Sequence, residues 1–356
     1  MKQRPVEPRA QLGESRSLST DVRRDHSGPD DAPQPDEVPL YPEDLDHAFC
    51  RGDLSTLGVG WREIAGPLWR SPYRGVHVWS ATDPADSLQR ALDAALLVPA
   101  DGALGGWAAA RVGGVSDLDG WSPAGPAPVP LALQPQQRRR RGPSVVPWRS
   151  PLTCDDVSMI AGVPVTVPVR TAFDIARFGT LLEGVTALDT LCRGRPDFLE
   201  QLAGYARERP RWRGVPRVRA ALSLASPRTR SPRESALRLF WVLTCRLPPP
   251  EVNAVIRDAD GFLLGMTDLL DPRCGLIAEY DGSGHREATR HALDNAREEA
   301  LENAGLTVVR VGGPDLGRFR SRTRLRLITG HRRAEATPRG LWSWEPGPMP
   351  SPVRHW

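Results

Sequence analysis

Acidic side chains recur at close spacing in the last third of the chain, within two neighbouring strand-like stretches. Asp268 belongs to the stretch 262–270, and Glu279 and Asp281 belong to the stretch 276–281. Carboxylate oxygens are the ligands that Mg²⁺ prefers, and a bound Mg²⁺ keeps other positions for water and phosphate. These residues at this spacing predict a Mg²⁺ site.

The loop between the two stretches determines which side chains face each other. It has Pro272 where a type I turn favours proline and Gly275 where a left-handed residue leaves the turn. In that register Asp268 lies opposite Glu279, about 5 Å away at Cβ, and Asp281 points to the same face. Like charges so close are unfavourable, so we expect a positive group among them.

The surrounding elements follow from helix and strand signals. Ser231, Pro232 and Glu234 are typical of a helix N-terminus, and that helix is predicted to extend to about residue 246. Strands are predicted at 251–257, 262–270 and 276–281. A helix at 287–304 ends at Gly305, before a buried strand at 306–311. The predicted order is α-β-β-β-α-β.

These residues resemble one known family. The resemblance covers about 80 residues and rests on Glu234-Ser235, Thr267-Asp268, Glu279-Tyr280-Asp281-Gly282, His285, Asp294, Arg297 and Gly305. The segment is similar to the Vsr-related endonuclease-like domains of the PD-(D/E)xK restriction-endonuclease-like superfamily. The resemblance implies that Asp268 and Glu279 bind Mg²⁺ (or Mn²⁺), with Glu234 as a further acid.

One position departs from the superfamily pattern, which places lysine where this chain has Asp281. The domain contains no lysine, so the role of that lysine falls to His285, to Arg297 or to no residue. The departure puts catalysis in doubt more than the fold.

Each candidate also has an ordinary structural interpretation. Glu234 could complete a helix cap, and Asp268 and Glu279 could be surface charges of a hairpin. Asp281 could be a turn residue and His285 a helix-start residue. Arg297 could pack its aliphatic stem at the edge of the helix's apolar face.

Arginine supplies almost all of the positive charge. The formal net charge is +4, and Lys2 is the only lysine. GC-rich coding accounts for arginine usage in general, but two groups flank the acidic stretch: Arg207, Arg209, Arg211, Arg213, Arg217 and Arg219 before it, and Arg318, Arg320, Arg322, Arg324 and Arg326 after it. Because arginine suits phosphate, these flanks predict binding to DNA.

The upstream chain divides by composition. We predict a disordered tail at 1–40, a possible winged-helix unit at 41–80 that ends in a strand at 73–79, and an α+β region at 81–225 with a proline-rich loop at 121–135. This region resembles AbiEi-type antitoxin modules through the stretches 105–110, 162–166 and 170–174, which implies a cognate toxin as a partner. The endonuclease-like domain spans 231–312, and a basic, Trp/Pro-rich tail spans 313–356, with a disordered end from Gly340.

The cysteines and the hydropathy bear on the compartment. The five cysteines show no paired spacing, which argues against a disulfide framework and a zinc site and favours a reducing cytoplasm. No apolar run approaches a membrane span, and the first residues lack the apolar core of a signal peptide, so we expect no membrane contact and no export.

Together these features predict an α/β protein with a restriction-endonuclease-like αβββαβ domain after a mostly α, α+β region. The predicted function is a Mg²⁺-dependent DNA endonuclease of Vsr-like type. The alternative is a non-catalytic DNA-binding regulator or the antitoxin of a toxin-antitoxin system.

Overall fold

The computed structural model describes residues 47–122, 124–138, 142–282 and 288–356, and these belong to one contact unit. The predicted tail at 1–40 lies outside the described residues. Mixed helices and sheets confirm the α/β class. None of the helices within the described ranges has both the length and the apolar character needed to cross a membrane.

A small three-stranded sheet begins the described chain. Its elements are β1 (Phe49–Cys50), α1 (Arg51–Thr56), α2 (Trp61–Ile64), β2 (Trp69–Tyr73) and β3 (Val76–Trp79). The strand order is β1-β3-β2. The single strand predicted at 73–79 is instead the turn and second arm of a hairpin, because Gly75 adopts a left-handed φ of +79°. Two short helices therefore precede a β-hairpin.

A five-stranded sheet occupies the middle of the chain. Its region contains α3 (Ser87–Ala95), β4 (Ala103–Leu104), α4 (Gly106–Val112), β5 (Trp121–Ser122), β6 (Gly125–Pro126), β7 (Val129–Leu133), β8 (Val145–Arg149), β9 (Val157–Ile160) and β10 (Val163–Thr166). The order is β8-β7-β4-β10-β9, and β5 pairs separately with β6. The predicted loop at 121–135 was therefore wrong for β7, whose apolar side chains are all buried.

Four helices pack beside this sheet around a shared apolar core. They are α5 (Pro168–Phe178), α6 (Leu181–Cys192), α7 (Pro196–Arg207) and α8 (Val215–Leu222). Proline in the first turn starts three of them, and Thr180 caps α6 with Glu183 in a reciprocal capping box.

The remaining elements form the second five-stranded sheet and its helices. They are α9 (Pro232–Leu239, widening into a π-helical turn at Phe240–Thr244), β11 (Glu251–Arg257), β12 (Leu263–Asp271), β13 (Leu276–Asp281), α10 (Ala288–Asn303), β14 (Thr307–Gly312), α11 (Gly313–Leu316), α12 (Arg320–Ala336) and β15 (Ser343–Pro346). The sheet order is β14-β13-β12-β11-β15. The predicted α-β-β-β-α-β order is confirmed through β14.

Local turn chemistry explains the central hairpin. Gly275 has φ +81° and donates its N–H to the Asp271 carbonyl at 2.8 Å. The pairing of Asp271 with Leu276 and of Leu270 with Ile277 follows. These pairs belong to the predicted register. β13 then pairs with β14 in parallel, with α10 as the connection.

The two faces of this sheet have different neighbours. On one face Leu276 and Val309 pack against Leu327 of α12 and against α9. On the other face Leu270 and Ile277 pack against Leu301 of α10. Alternation along each strand assigns every side chain to one of these faces.

The predicted disordered end was wrong. β15 pairs antiparallel with β11, and Trp342 just before it is buried in the core on the α10 side. Trp356 packs between the cores of the middle sheet and the helices, and its Nε1 donates to the Thr166 carbonyl at 2.9 Å. Tryptophan burial offsets the ordering of this proline-rich segment.

Candidate functional site

Two acidic side chains lie on the α10 face of the second sheet. Asp268 is two residues before Leu270 in β12, and Glu279 is two residues after Ile277 in β13, so strand alternation directs both toward α10. The hairpin thus brings together the two residues that the sequence predicted as metal ligands.

Asp268 is mostly buried and retains one backbone hydrogen bond. The Tyr280 N–H donates to its Oδ2 at 2.7 Å. The pKa of Asp268 is raised to about 7, chiefly by burial and also by the negative charges of Glu234 and Glu279, while the Tyr280 hydrogen bond and the charge of Arg297 lower it. This carboxylate is therefore costly to ionise in the absence of a cation.

Glu279 is paired with an arginine from α10. Arg297 places Nη2 2.7 Å from Oε1 and Nη1 3.3 Å from Oε2 of Glu279, and Nη2 also donates to the Met266 carbonyl at 2.8 Å. The positive group that the acidic spacing predicted is thus present as a guanidinium. The packing and phosphate-contact predictions for Arg297 did not include this ion pair with Glu279.

A glycine provides the space for this guanidinium. Gly265 has φ +144°, and a Cβ built there would lie 2.3 Å from Nε of Arg297. A side chain at 265 would displace the arginine that holds Glu279.

Glu234 lies in the helix cap, which is one of its two predicted roles. The Ser231 Oγ accepts the Glu234 N–H at 3.2 Å, as a helix cap does, and the Glu234 carboxylate accepts from the Arg230 N–H at 2.9 Å and from Asn253 Nδ2 at 3.0 Å. Its charge still reaches Asp268, whose pKa it raises. It is a buried capping acid next to the candidate centre.

Of the two remaining predicted site residues, Asp281 and His285, the structure describes only Asp281. Asp281 ends β13 and pairs in register with Gly312 of β14. His285 lies outside the described residues. The exposed Arg233 guanidinium lies near this end of β13, 5.7 Å from the centre of the Tyr280 ring.

The carboxylates fit Mg²⁺ in donor type and charge. Mg²⁺ is commonly bound through one or two carboxylates and several waters, which Asp268 and Glu279 can supply. Glu234, Asp268 and Glu279 carry three negative charges when ionised, and among the side chains that the structure describes Arg297 is the cation that acts on Asp268. Their oxygens do not form a group of three ligands within 4.8 Å of one another in the described chain, so the fit rests on two carboxylates and water.

The sequence predicted that both arginine stretches flank the acidic centre. In the structure only one of them can, because the second stretch lies on the other face of the sheet. α12, which carries most of the second stretch, packs on the opposite face of the sheet from α10, because Gly330 lies against Val309 and Leu276. Arg320 Nη2 and Arg324 Nε donate to Thr244 at 2.6 and 3.1 Å, which satisfies groups at the end of α9. In the first stretch Arg207, Arg211, Arg213, Arg217 and Arg219 are exposed.

The stretch that resembles an antitoxin module has a clear structural role. Arg170 is fully buried and pairs with Asp174 at 2.8 Å and Asp156 at 3.1 Å. Arg177 pairs with the other oxygen of Asp174 at 2.6 Å, and both guanidinium groups donate to Ser150 Oγ. The charges are balanced and hydrogen-bonded, so the network ties α5 to the loop after β8.

A further cluster escaped the sequence analysis. Asp271, Cys274 and His331 place one ligand atom each within 4.8 Å of one another. Asp271 and Cys274 border one turn, but His331 is 57 positions further on in α12. The Asp-Pro-Arg-Cys spacing is a partial signal, whereas only folding supplies the histidine.

Comparison with known proteins gives little further information. No protein-family model matches the chain. No curated protein matches it either. Among solved structures, the chain is similar to the RV2827C protein from Mycobacterium tuberculosis, with 17% identity over 54% of this chain and 75% of that chain and a TM-score of 0.35. A similarity at that level carries no argument about fold or function.

Proposed function

We propose that the protein is a Mg²⁺-dependent DNA endonuclease whose restriction-endonuclease-like domain spans 231–312. The observation that carries the proposal is the group of carboxylates at one site, with Asp268 and Glu279 on one face of the sheet, the capping Glu234 close enough to affect Asp268, and Arg297 paired with Glu279. Burial first, and then the negative charges of Glu234 and Glu279, raise the pKa of Asp268, so the site carries unfavourable negative charge when its carboxyls are ionised. A divalent cation offsets it, and the resemblance to Vsr-related domains names the same two ligands.

In this proposal the chain's own residues hold and orient the reacting groups. Asp268 and Glu279 hold Mg²⁺, which when bound polarises a phosphate and lowers the pKa of a water molecule. The Tyr280 N–H keeps the Asp268 carboxylate in place at 2.7 Å. Arg297, anchored on the Met266 carbonyl, keeps a positive charge beside the phosphate. His285 moves protons.

The test is cleavage of plasmid and branched DNA by the full chain with Mg²⁺, Mn²⁺ or EDTA. We expect cleavage only with a metal ion, and its loss in Asp268→Ala while DNA binding persists. The exposed turn residue Asp260 provides a matched control, and Asp260→Ala should cleave normally. Cleavage that survives in Asp268→Ala would refute the assignment of this site.

A non-catalytic DNA-binding regulator is the second candidate, and one observation favours it. Arg297 contacts both oxygens of Glu279, and Asp281 stands where the superfamily pattern has lysine. A guanidinium that permanently replaces the cation would keep the fold without turnover. Sequence-selective binding with no cleavage under any metal ion is the result that this candidate predicts, and a toxin partner belongs to the same proposal.

Both candidates require binding to the DNA backbone. The exposed arginines of the first stretch and the helix pair and hairpin at 47–79 are the surfaces that we assign to it. Because phosphate contacts release counterions, the logarithm of the affinity should fall by roughly 0.9 per contact for each tenfold rise in salt. Affinity that does not change with salt would remove both candidates.

A further inference from the structure

We propose that Asp271, Cys274 and His331 form a binding site for Zn²⁺ or another late first-row divalent ion, separate from the acidic pair. Asp271 ends β12, Cys274 lies in the following turn, and His331 projects from α12. Thiolate sulfur, imidazole nitrogen and carboxylate oxygen together are a donor set typical of zinc and unlike that of Mg²⁺.

The distances suit a tetrahedral ion. Bonds of about 2.0–2.3 Å to nitrogen, oxygen and sulfur place neighbouring ligand atoms about 3.4–3.8 Å apart. Asp271 Oδ2 and His331 Nε2 are 3.3 Å apart, and all three ligand atoms lie within 4.8 Å of one another.

The second nitrogen of His331 has the partner that a metal-bound histidine needs. Nδ1 lies 3.4 Å from Glu335 Oε2, one helical turn further along α12. A metal-bound imidazole usually donates its other N–H to a carboxylate, which fixes the tautomer and the ring orientation. A neutral imidazole carries one proton and can donate to only one carboxylate. When that proton is on Nδ1 it serves Glu335, and an ion between Nε2 and Asp271 then satisfies the second contact.

Asp271 can accept an ion while it keeps its backbone hydrogen bond from Arg273. Its side chain is only 1% exposed, and Arg273 contacts Oδ1 through Nε at 3.0 Å and through its backbone N–H at 3.1 Å. The Nη2 contact to Oδ2 at 2.8 Å comes from an exposed side chain that can rotate away. Oδ2 is then available to the ion, and the ion replaces the proton that the Cys274 thiol releases to solvent.

This site lies on the α12 face of the sheet, with Leu269 and Leu276, and not on the α10 face of Asp268 and Glu279. It would join the central hairpin to α12. Three protein ligands leave the fourth position of a tetrahedral ion for water.

The test is titration of the full chain with Co²⁺ under reducing conditions, followed by displacement with Zn²⁺. One equivalent of Co²⁺ should produce a thiolate-to-metal charge-transfer band that Zn²⁺ removes. Cys274→Ser and His331→Gln should each abolish the band, and Glu335→Gln should weaken binding about tenfold through the lost partner of His331. Cys154→Ser, which changes an exposed cysteine outside the cluster, is the matched control.

Melting curves in EDTA establish that each variant folds, and Asp268→Asn should keep the band because it belongs to the other site. A band that survives in both Cys274→Ser and His331→Gln would overturn the proposal, as would the absence of any band in the wild type. Neither result depends on whether the protein cleaves DNA.

Discussion

Asp268 determines how the acidic site responds to pH. Its pKa is raised from 3.8 to about 7 in the folded chain, first by burial and then by the charges of Glu234 and Glu279. The stability that comes from keeping this carboxyl protonated is fully present below about pH 4. It is lost as pH rises through 7, because the unfolded chain then binds fewer protons than the folded one.

Asp268→Asn should therefore stabilise the metal-free protein near pH 8 and change it little near pH 4. Asparagine still offers an oxygen to the Tyr280 N–H but never ionises. A shift of one pKa unit corresponds to about 1.4 kcal/mol, and water reduces this value at a partly open site. We therefore expect the free energy of unfolding at pH 8 to rise by roughly 1–3 kcal/mol. Denaturant unfolding in EDTA at both pH values measures it. A loss of stability at pH 8 would show that the ionised carboxylate is structurally required.

Arg297 and a cation compete for the same carboxylate, which leads to a second prediction. Arg297→Gln should destabilise the metal-free chain by about 1–3 kcal/mol, since Glu279 loses its counter-charge. The rise in melting temperature on adding Mg²⁺ should exceed that of the wild type. Arg310→Gln is the control, because Arg310 pairs with Glu298 on α10. Equal Mg²⁺ responses in the two variants would show that Arg297 does not compete with the ion.

Among the elements, β12 contributes both Asp268 and, through Gly265, the space that the Arg297 side chain occupies. Gly265→Ala introduces a Cβ 2.3 Å from Arg297 Nε at a φ of +144°. Gly261→Ala meets nothing within 4 Å at a φ of +86°, so it isolates the backbone cost of about 1–2 kcal/mol. Thermal melts should show a larger loss for Gly265→Ala, together with a stronger Mg²⁺ response. Losses of equal size would mean that Arg297 relaxes freely.

Local signals predicted most of the elements between 231 and 312. Ser231 and Pro232 mark a helix start, Gly275 a turn and Gly305 a helix end, and each acts on residues a few positions away. The end of the chain carried no such signal. β15 has no periodic pattern, and it becomes a strand only because the edge of β11 accepts it.

For the molecule as a whole, the side-chain networks could not be predicted, because they join distant positions. Arg238 Nη2 reaches Asp189 of α6 at 2.6 Å and ties the helical layer to α9. Likewise the Arg297–Glu279 pair and the Asp271–His331 contact depend on how α10 and α12 pack on opposite faces. The sequence could identify the acids, their common face and Arg297 as a candidate, but not the pairing of Arg297 with Glu279.

A cation held by Asp268 and Glu279 is central to the proposed function, and calorimetric titration of the full chain with Mg²⁺ tests for it directly. We predict that the wild type and the exposed control Asp260→Asn bind Mg²⁺ equally. Asp268→Asn and Glu279→Gln should each bind at least about tenfold more weakly, a loss of about 1.4 kcal/mol or more. Binding that is the same in all four proteins, or absent from the wild type, would contradict the account.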